Sequence, residues 1–406
     1  MNILNILLIK KHFKDFQKYV LILLMLLHCC GIFGFYCYDD KNKPAKGRIL
    51  RLKNPAIVPF AVVETWTVYT AKIENQTSRG DLFLRRLRFG VRGNPFPFIK
   101  YNLQFDMDRY GQNKFTAARG NYKGLNLFNA YITVKALQNQ NWLYLHGGYF
   151  LSAISREFHT SPWACGSFDK SNANWYLRYF LTSKGRGIEP GIGIGGLKKL
   201  GNVGASYRIA LHNPVKHSGS RCFSPLYSGR VMFSFGEPEQ AYYKYMLTGN
   251  NFCCRDGMTI GFGSSCQGKT DNGMPLKDSV YFDRSIAYGM DILAEFKGIR
   301  LEGECYRMTR KAPGERFTGW EYHGRMGFTM PVAGFHIEPI IMYSRFTGNG
   351  AANIYPFNGN DSTADFGINW YVKKDQLMLG IHYLKEEGNL SKEANYPAVK
   401  FKMMID

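Results

Sequence analysis

From Ile99 to Asp108 the chain alternates apolar and polar residues without a break. Ile99, Tyr101, Leu103, Phe105 and Met107 alternate with Lys100, Asn102, Gln104, Asp106 and Asp108. A period of two puts each set on one face of a strand, whereas a helix would scatter both sets around its surface. The pattern recurs to the C-terminus. Leu301, Gly303 and Cys305 oppose Arg300, Glu302 and Glu304, and Tyr322, Met326 and Phe328 oppose Glu321, His323, Arg325 and Thr329. Leu377, Leu379, Ile381 and Tyr383 oppose Gly380 and His382, and Val399, Phe401, Met403 and Ile405 oppose Lys400 and Lys402. Each run is about 9–11 residues, the span a tilted strand needs to cross a bilayer. A soluble sandwich uses strands of about five or six residues and has only two apolar faces to fill. The fold expected is all-β, a transmembrane antiparallel β-barrel of about sixteen strands with lipid outside and water inside.

The connections support the same reading. Asn94–Pro97, Gln138–Asn141 and Lys373–Asp375 read as tight turns. The stretches 109–125, 212–224, 236–256, 267–280, 309–318 and 347–363 read as long loops rich in Gly, Asn, Lys and Asp. Short periplasmic turns and long outer loops are the usual asymmetry of outer-membrane barrels. Leu151–Glu189 is long, irregular and basic and follows the fifth strand. It contains the bases Arg156, Lys170, Arg178, Lys184 and Arg186 and is expected to fold inward as a constriction loop, with Arg156, Lys170, Lys184 and Arg186 as its site residues.

Lys10, Lys11, Lys14 and Lys18 precede an apolar run from Tyr19 to Leu27, followed by Gly31, Gly34 and Asp39-Asp40. That order is the order of a signal peptide. Residues 1–37 therefore read as a signal peptide, 38–54 as a lead-in and 55–406 as the barrel domain. A single membrane anchor is the alternative, for which the apolar run is short. Beyond Tyr38 nothing approaches 18 consecutive apolar residues, so a membrane form must be a closed barrel. The expected location is the bacterial outer membrane, with its lipid around the wall.

The net charge of +21 calls for an acidic partner. Nucleic-acid binders carry their bases in blocks or on one helix. Here the Lys and Arg residues are spread through strand-like segments with no block of five, so a small anion is expected and nucleic acid is not. If the apolar parity faces lipid, the other parity faces the lumen. That places Arg86, Arg88, Arg92, Lys100, Arg208 and Arg230 on the pore wall as anion-binding residues. Among them stand Asp106, Asp108, Asp291, Glu295, Glu302, Glu304, Glu321 and Glu338. The planar guanidinium fork suits phosphate because it donates two hydrogen bonds at once.

Nine cysteines show no CxxC spacing, so no cysteine zinc site, and no other metal or cofactor, is expected. A barrel phospholipase would need Ser, His and an orienting polar group together. His146, His212, His323, His336 and His382 lie on strands, and none sits in a His-x-Ser-Asn context. No enzyme is expected. An adhesin or structural barrel with a closed lumen stays open as the second reading.

Several segments resemble the phosphate-selective porin O and P family, in its Bacteroidetes-type members. They are LFLRRLRFGVRG (82–93) with FDMDRY (105–110), YGMDILAEFKGIRLEGECYR (288–307), GFHIEPIIMYSRF (334–346), FGINWYVKKDQLMLGIHYLKEE (366–387) and KFKMMID (400–406). Their order and spacing carry the resemblance over most of the chain after about residue 55. It implies a sixteen-stranded barrel, a homotrimer and a passive channel for phosphate, polyphosphate or related anions.

Overall fold

Alternation becomes hydrogen-bonded register along nearly the whole chain. The structure, a computed structural model, describes residues 56–70, 79–113, 124–137, 139–213, 224–240, 242–247, 249–269, 282–352, 354–374, 376–390 and 394–405. The segments read as signal peptide and lead-in lie outside the described residues. The strands are β1 (Val58–Thr70), β2 (Arg79–Phe96), β3 (Ile99–Asp106), β4 (Asn126–Lys135), β5 (Tyr144–Leu151) and β6 (Ile188–Leu200). They continue with β7 (Val203–His212), β8 (Leu226–Gly236), β9 (Gly257–Gln267), β10 (Arg284–Phe296), β11 (Ile299–Ala312) and β12 (Glu315–Phe328). The last are β13 (Met330–Val332), β14 (Phe335–Gly350), β15 (Gly359–Lys373), β16 (Leu377–Glu387) and β17 (Ala394–Ile405). β12 and β13 are one pass broken at Thr329, since both pair with β14. The wall therefore has sixteen antiparallel crossings. β1 closes it against β17, with Val63 opposite Met403, so no strand edge is left exposed.

The outer face is apolar. Phe262, Ile292, Leu301, Ile341, Phe366 and Ile381 are exposed on it, a surface suited to hydrocarbon and not to water. Aromatics collect toward the two rims: Phe96, Trp142, Phe235, Phe296, Phe335 and Trp370 at one, Tyr69, Tyr227, Tyr288, Trp320 and Tyr383 toward the other. These are the girdles of a membrane barrel. Cys266 and Cys305 also lie on outward positions, and among the described residues all five cysteines are free thiols.

Both ends of the barrel sequence, Val58 and Ile405, lie at one rim. Most turns at that rim are short. At Lys297-Gly298 (φ 47° and 87°) and Ala333-Gly334 (φ 48° and 88°) both central residues have positive φ, as the tight hairpin turn that matches strand twist requires. By the usual asymmetry this is the periplasmic rim. The segment 309–318, expected as a long loop, is instead strand on both sides of a two-residue turn. Its bases belong to the alternation: Arg310 points inward and is fully buried, while Lys311 points out.

Two long segments leave the wall and fill part of the lumen. Residues 152–187, between β5 and β6, carry helix α1 (Arg156–His159) and helix α2 (Asn172–Thr182). Their N-caps are Ser155 and Ser171, whose hydroxyls accept from the Phe158 and Asn174 amides, satisfying donors a helix start leaves open. α2 packs on β11, β12, β14 and β15. There Tyr176 stacks on Phe346, with ring centroids 4.0 Å apart. The expected inward loop thus reaches the far wall.

The second segment, 237–256, was expected as an outer loop. It joins β8 to β9 at the short-turn rim and enters the lumen from there. Tyr243 stacks on Tyr144 at 4.8 Å. A Cβ on Gly195 would stand 1.9 Å from the Tyr243 hydroxyl, so glycine at that wall position makes room for the phenol. The Tyr245 hydroxyl donates to the Leu151 carbonyl. Leu247 then forms a β-bridge with Thr160, its amide donating to the His159 carbonyl at 2.8 Å. Segments from opposite rims meet at this seam.

A candidate anion passage

The first positioning device is a break in alternation. The β1–β2 register shifts between Glu64 and Thr65, so Glu64 faces Arg86, Thr65 faces Leu84, and Arg85 is extra. A bulge of this kind re-aims the side chains around it. Strict parity put Phe83 and Arg85 on the lipid face. The structure instead turns Phe83, Arg85 and Arg86 all inward and buries them. Phe83 packs edge-on against Trp66, at 6.0 Å.

The arginines of β2 meet the inward loop and the strand next to them. Arg86 donates to Glu64 at 2.6 Å and also to Asp169, which takes a second bond from Arg85 at 2.5 Å. Arg88 bonds both oxygens of Asp108, at 3.1 and 2.5 Å, and lies 3.9 Å from the Phe128 ring centre. From the loop, Arg186 pairs with Asp106 at 2.7 Å. Lys100 of β3 and Lys244 of the second segment share one ring, 4.9 and 4.6 Å from the centre of Tyr242. Among the described residues no carboxylate pairs with Lys100, Lys170, Arg178 or Lys244. Burial acts on Asp169 to raise its pKa, but Arg85 and Arg86 outweigh it and hold the carboxyl well below its usual range. For Lys170, burial first and the Arg178 charge second lower the ammonium pKa to about 8.

These groups line a cavity of about 800 Å³ between the β1–β4 wall and the two inward segments. Its lining runs from Val58, Gly93 and Asn94 at the short-turn rim to Gly124, Phe357 and Leu390 at the other. The wall contributes Arg85, Arg86, Arg88, Arg92 and Lys100, with Arg109 just beyond β3; the inward segments contribute Lys170, Arg178, Arg186 and Lys244. Among the described residues ten cations therefore face two carboxylates, Asp108 and Asp169.

Six residues expected from sequence meet here: Arg86, Arg88, Arg92, Lys100, Lys170 and Arg186. Four lie off the cavity, each held elsewhere. Arg230 is locked to Asp291, with its Nε at 2.8 Å. Arg156 is held by Glu239 at 2.9 Å and Glu302 at 2.8 Å. Arg208 donates to the Lys244 carbonyl at 2.8 Å. Lys184 pairs with Glu189 at 2.8 Å. Arg178, read from sequence as a base of the inward loop, lines the cavity too, while Arg85, Arg109 and Lys244 were missed. For Arg85 a signal existed: two adjacent arginines inside an alternating run already violate one parity.

No family model matches the sequence, and no curated protein is similar to it at the level of sequence. Solved structures are similar in shape. An anion-selective porin from Comamonas acidovorans superposes with TM-score 0.52 at 15% identity, over 86% of this chain and 99% of that one. OprB of Pseudomonas putida gives 0.54 at 9%, over 86% and 94%. OmpT of Vibrio cholerae, in a trimer form, gives 0.52 at 9%, over 86% and 99%. The fold is that of bacterial outer-membrane porins. At these identities the likeness is one of architecture, and it does not single out the phosphate-selective type that the sequence motifs resemble.

Proposed function

We propose that the protein is a passive outer-membrane channel for small anions, with phosphate or polyphosphate as its first candidate solutes. The observation that carries this is the charge of the rim-to-rim cavity, ten cations against two carboxylates among the described residues. Low-dielectric walls focus such a field and concentrate anions inside, and several moderate sites permit conduction where one tight site would not. Arg86, Arg88, Arg92, Lys100, Lys170 and Arg186, with Arg85, Arg109, Arg178 and Lys244, form the anion-facing lining. Export by the segment 1–37, outer-membrane lipid around the apolar belt and assembly as a homotrimer complete the reading; the trimer form of the Vibrio cholerae relative in shape supports the last. The test is the reversal potential of the purified protein in a planar bilayer under a KCl gradient. A potential on the chloride side is expected, shifting further when phosphate replaces chloride on one side. A cation-side potential overturns the proposal. One observation favours a second reading, a barrel with a closed lumen: the two inward segments bury Phe158, Leu177, Phe180 and Tyr245 as a hydrophobic core inside the wall. Absence of conductance in that same bilayer selects it.

A further inference from the structure

Behind the passage, the inward loop and the wall enclose a second cluster. Glu157 opens α1, Glu304 lies on β11 and His323 on β12, and all three are buried. Their candidate ligand atoms lie within 4.8 Å of one another. The Nδ1 of His323 is 3.6 Å from Glu157 Oε2 and 3.6 Å from Glu304 Oε1. Those separations are too long for hydrogen bonds, and neither ring nitrogen has a hydrogen-bond partner. They do approach the edge of a tetrahedron around an ion with bonds of about 2.1 Å, which is roughly 3.4 Å.

Both carboxylates are oriented from behind. The Ser171 amide and hydroxyl donate to Glu157 at 3.0 and 2.6 Å. Asn174 donates to Glu304 at 2.6 Å, and the Glu157 amide donates to the other Glu304 oxygen at 3.3 Å. Arg325 occupies Glu157 Oε1 at 2.8 Å and Glu302 at 2.6 Å, while Oε2, which accepts the Ser171 hydroxyl, is the oxygen on the side of the imidazole. Outer contacts of this kind fix the ligands of metal sites. An independent observation points the same way. Glu321, two residues from His323 on the same inward face of β12, is fully buried and no donor reaches either of its oxygens. A buried polar group without a partner is strongly disfavoured, and an imidazole with both nitrogens unpartnered between two buried carboxylates is what a bound cation would satisfy.

We infer that Glu157, Glu304 and His323 bind a divalent transition cation that pins the inward loop to the barrel wall. The mixed imidazole and carboxylate set suits Zn²⁺, Co²⁺ or Mn²⁺ better than Ca²⁺ or Mg²⁺. The site does not depend on what the passage conducts. Its ligands come from one hairpin, where Glu304 faces His323, and from a loop 147 residues before Glu304, and none is a cysteine, so cysteine spacing gave no hint of it.

The full chain is refolded into detergent with Zn²⁺ or with EDTA, dialysed, and assayed by elemental analysis. About one Zn²⁺ per chain is expected after the first treatment and none after the second. Co²⁺ in place of Zn²⁺ should give visible ligand-field bands typical of nitrogen and oxygen ligation. Folded His323→Gln and Glu304→Gln chains should lose the metal, while His336→Gln, at the short-turn rim, keeps it. If those variants do not fold, the Co²⁺ spectrum of the wild type decides alone. Folded wild type that retains neither Zn²⁺, Co²⁺ nor Mn²⁺ overturns the site, as do folded variants that hold the wild-type amount; protons on His323 and Glu321 then neutralise the cluster.

Discussion

On the β8–β12 side of the lumen Arg230 is closed off by Asp291, Arg255 by Glu295, and Arg156, Arg300 and Arg325 by Glu302. On the β2–β4 side Arg88 and Asp108 also pair, but Lys100, Lys170, Arg178 and Lys244 form no ion pair with an acid among the described residues. The residue types are the same on both sides and their environment differs. Where acids match bases, the charges cancel and become cross-ties between loop and wall. Where bases are in excess, the same chemistry leaves a standing field facing open space. Selectivity in this barrel is thus a matter of local charge imbalance, and the +21 of the whole chain is a poor guide to where it lies.

The largest effect on this contrast should come from removing the second inward segment. Replacing residues 242–247 by glycines deletes the Tyr243 and Tyr245 contacts and the bridge to Thr160. Single-channel conductance should rise severalfold and anion preference should fall, because Lys244 is lost and the remaining cations face a wider, wetter space. Unchanged conductance would show that the segment does not border the current path.

Next comes the cross-tied side. Asp291→Ala leaves Arg230 buried without its acid and removes an acceptor from Tyr306 and from the Arg156 amide. Breaking a buried pair from one side costs about 3–5 kcal/mol, to be read from urea unfolding by the gel shift of folded against unfolded barrel. Asp108→Ala on the cavity side should cost less, since its partner Arg88 keeps the Phe128 ring and the cavity water. Equal losses would erase the distinction between the two sides.

Reversing Lys100 and Lys244 together to Glu should move the reversal potential toward cations with little change in unfolding. The net change is four charges, at the Tyr242 ring that a wall lysine and a segment lysine share. The shift should shrink with salt, since screening falls to about 10 Å at 0.1 M. A wild-type potential in the folded double variant would shift attention to Arg178 and Arg186.

The smallest effect is a pH dependence. Lys170, brought down to about 8 by burial and by Arg178, is charged below that value and neutral above it. Anion preference should therefore be full near pH 6 and weaken as pH rises through 8. Lys170→Arg should flatten the profile, because a guanidinium stays charged across that range. A wild-type profile that is already flat would remove Lys170 from the passage.

The wall was legible because alternation is a local property. Ile99–Asp108 shows its two faces within ten residues, and closure follows once enough such runs exist. Parity says which way a side chain points and nothing about what it meets there. Arg208 and Arg230 point inward as expected, yet the partner of Arg230 lies 61 residues away, a pairing fixed only by the packing of whole strands. The bulge at Arg85 was half legible. The direction taken by 237–256 was not, because loop length carries no record of which rim the loop hangs from.

The seam between Leu247 and Thr160 also bears on assembly. A closed wall of sixteen crossings needs only neighbouring strands to find each other, in chain order, and then β1 to meet β17. The seam needs two distant segments to arrive inside that wall from opposite ends. Wall closure and filter formation are therefore separate events, and the second has nothing to form against until the first is under way. A chain that completes only the first step is a wide hole in the membrane. Tolerance to sequence change should be divided accordingly: drift on the lipid face is cheap so long as it stays apolar, while 152–187 and 237–256 have to change in step.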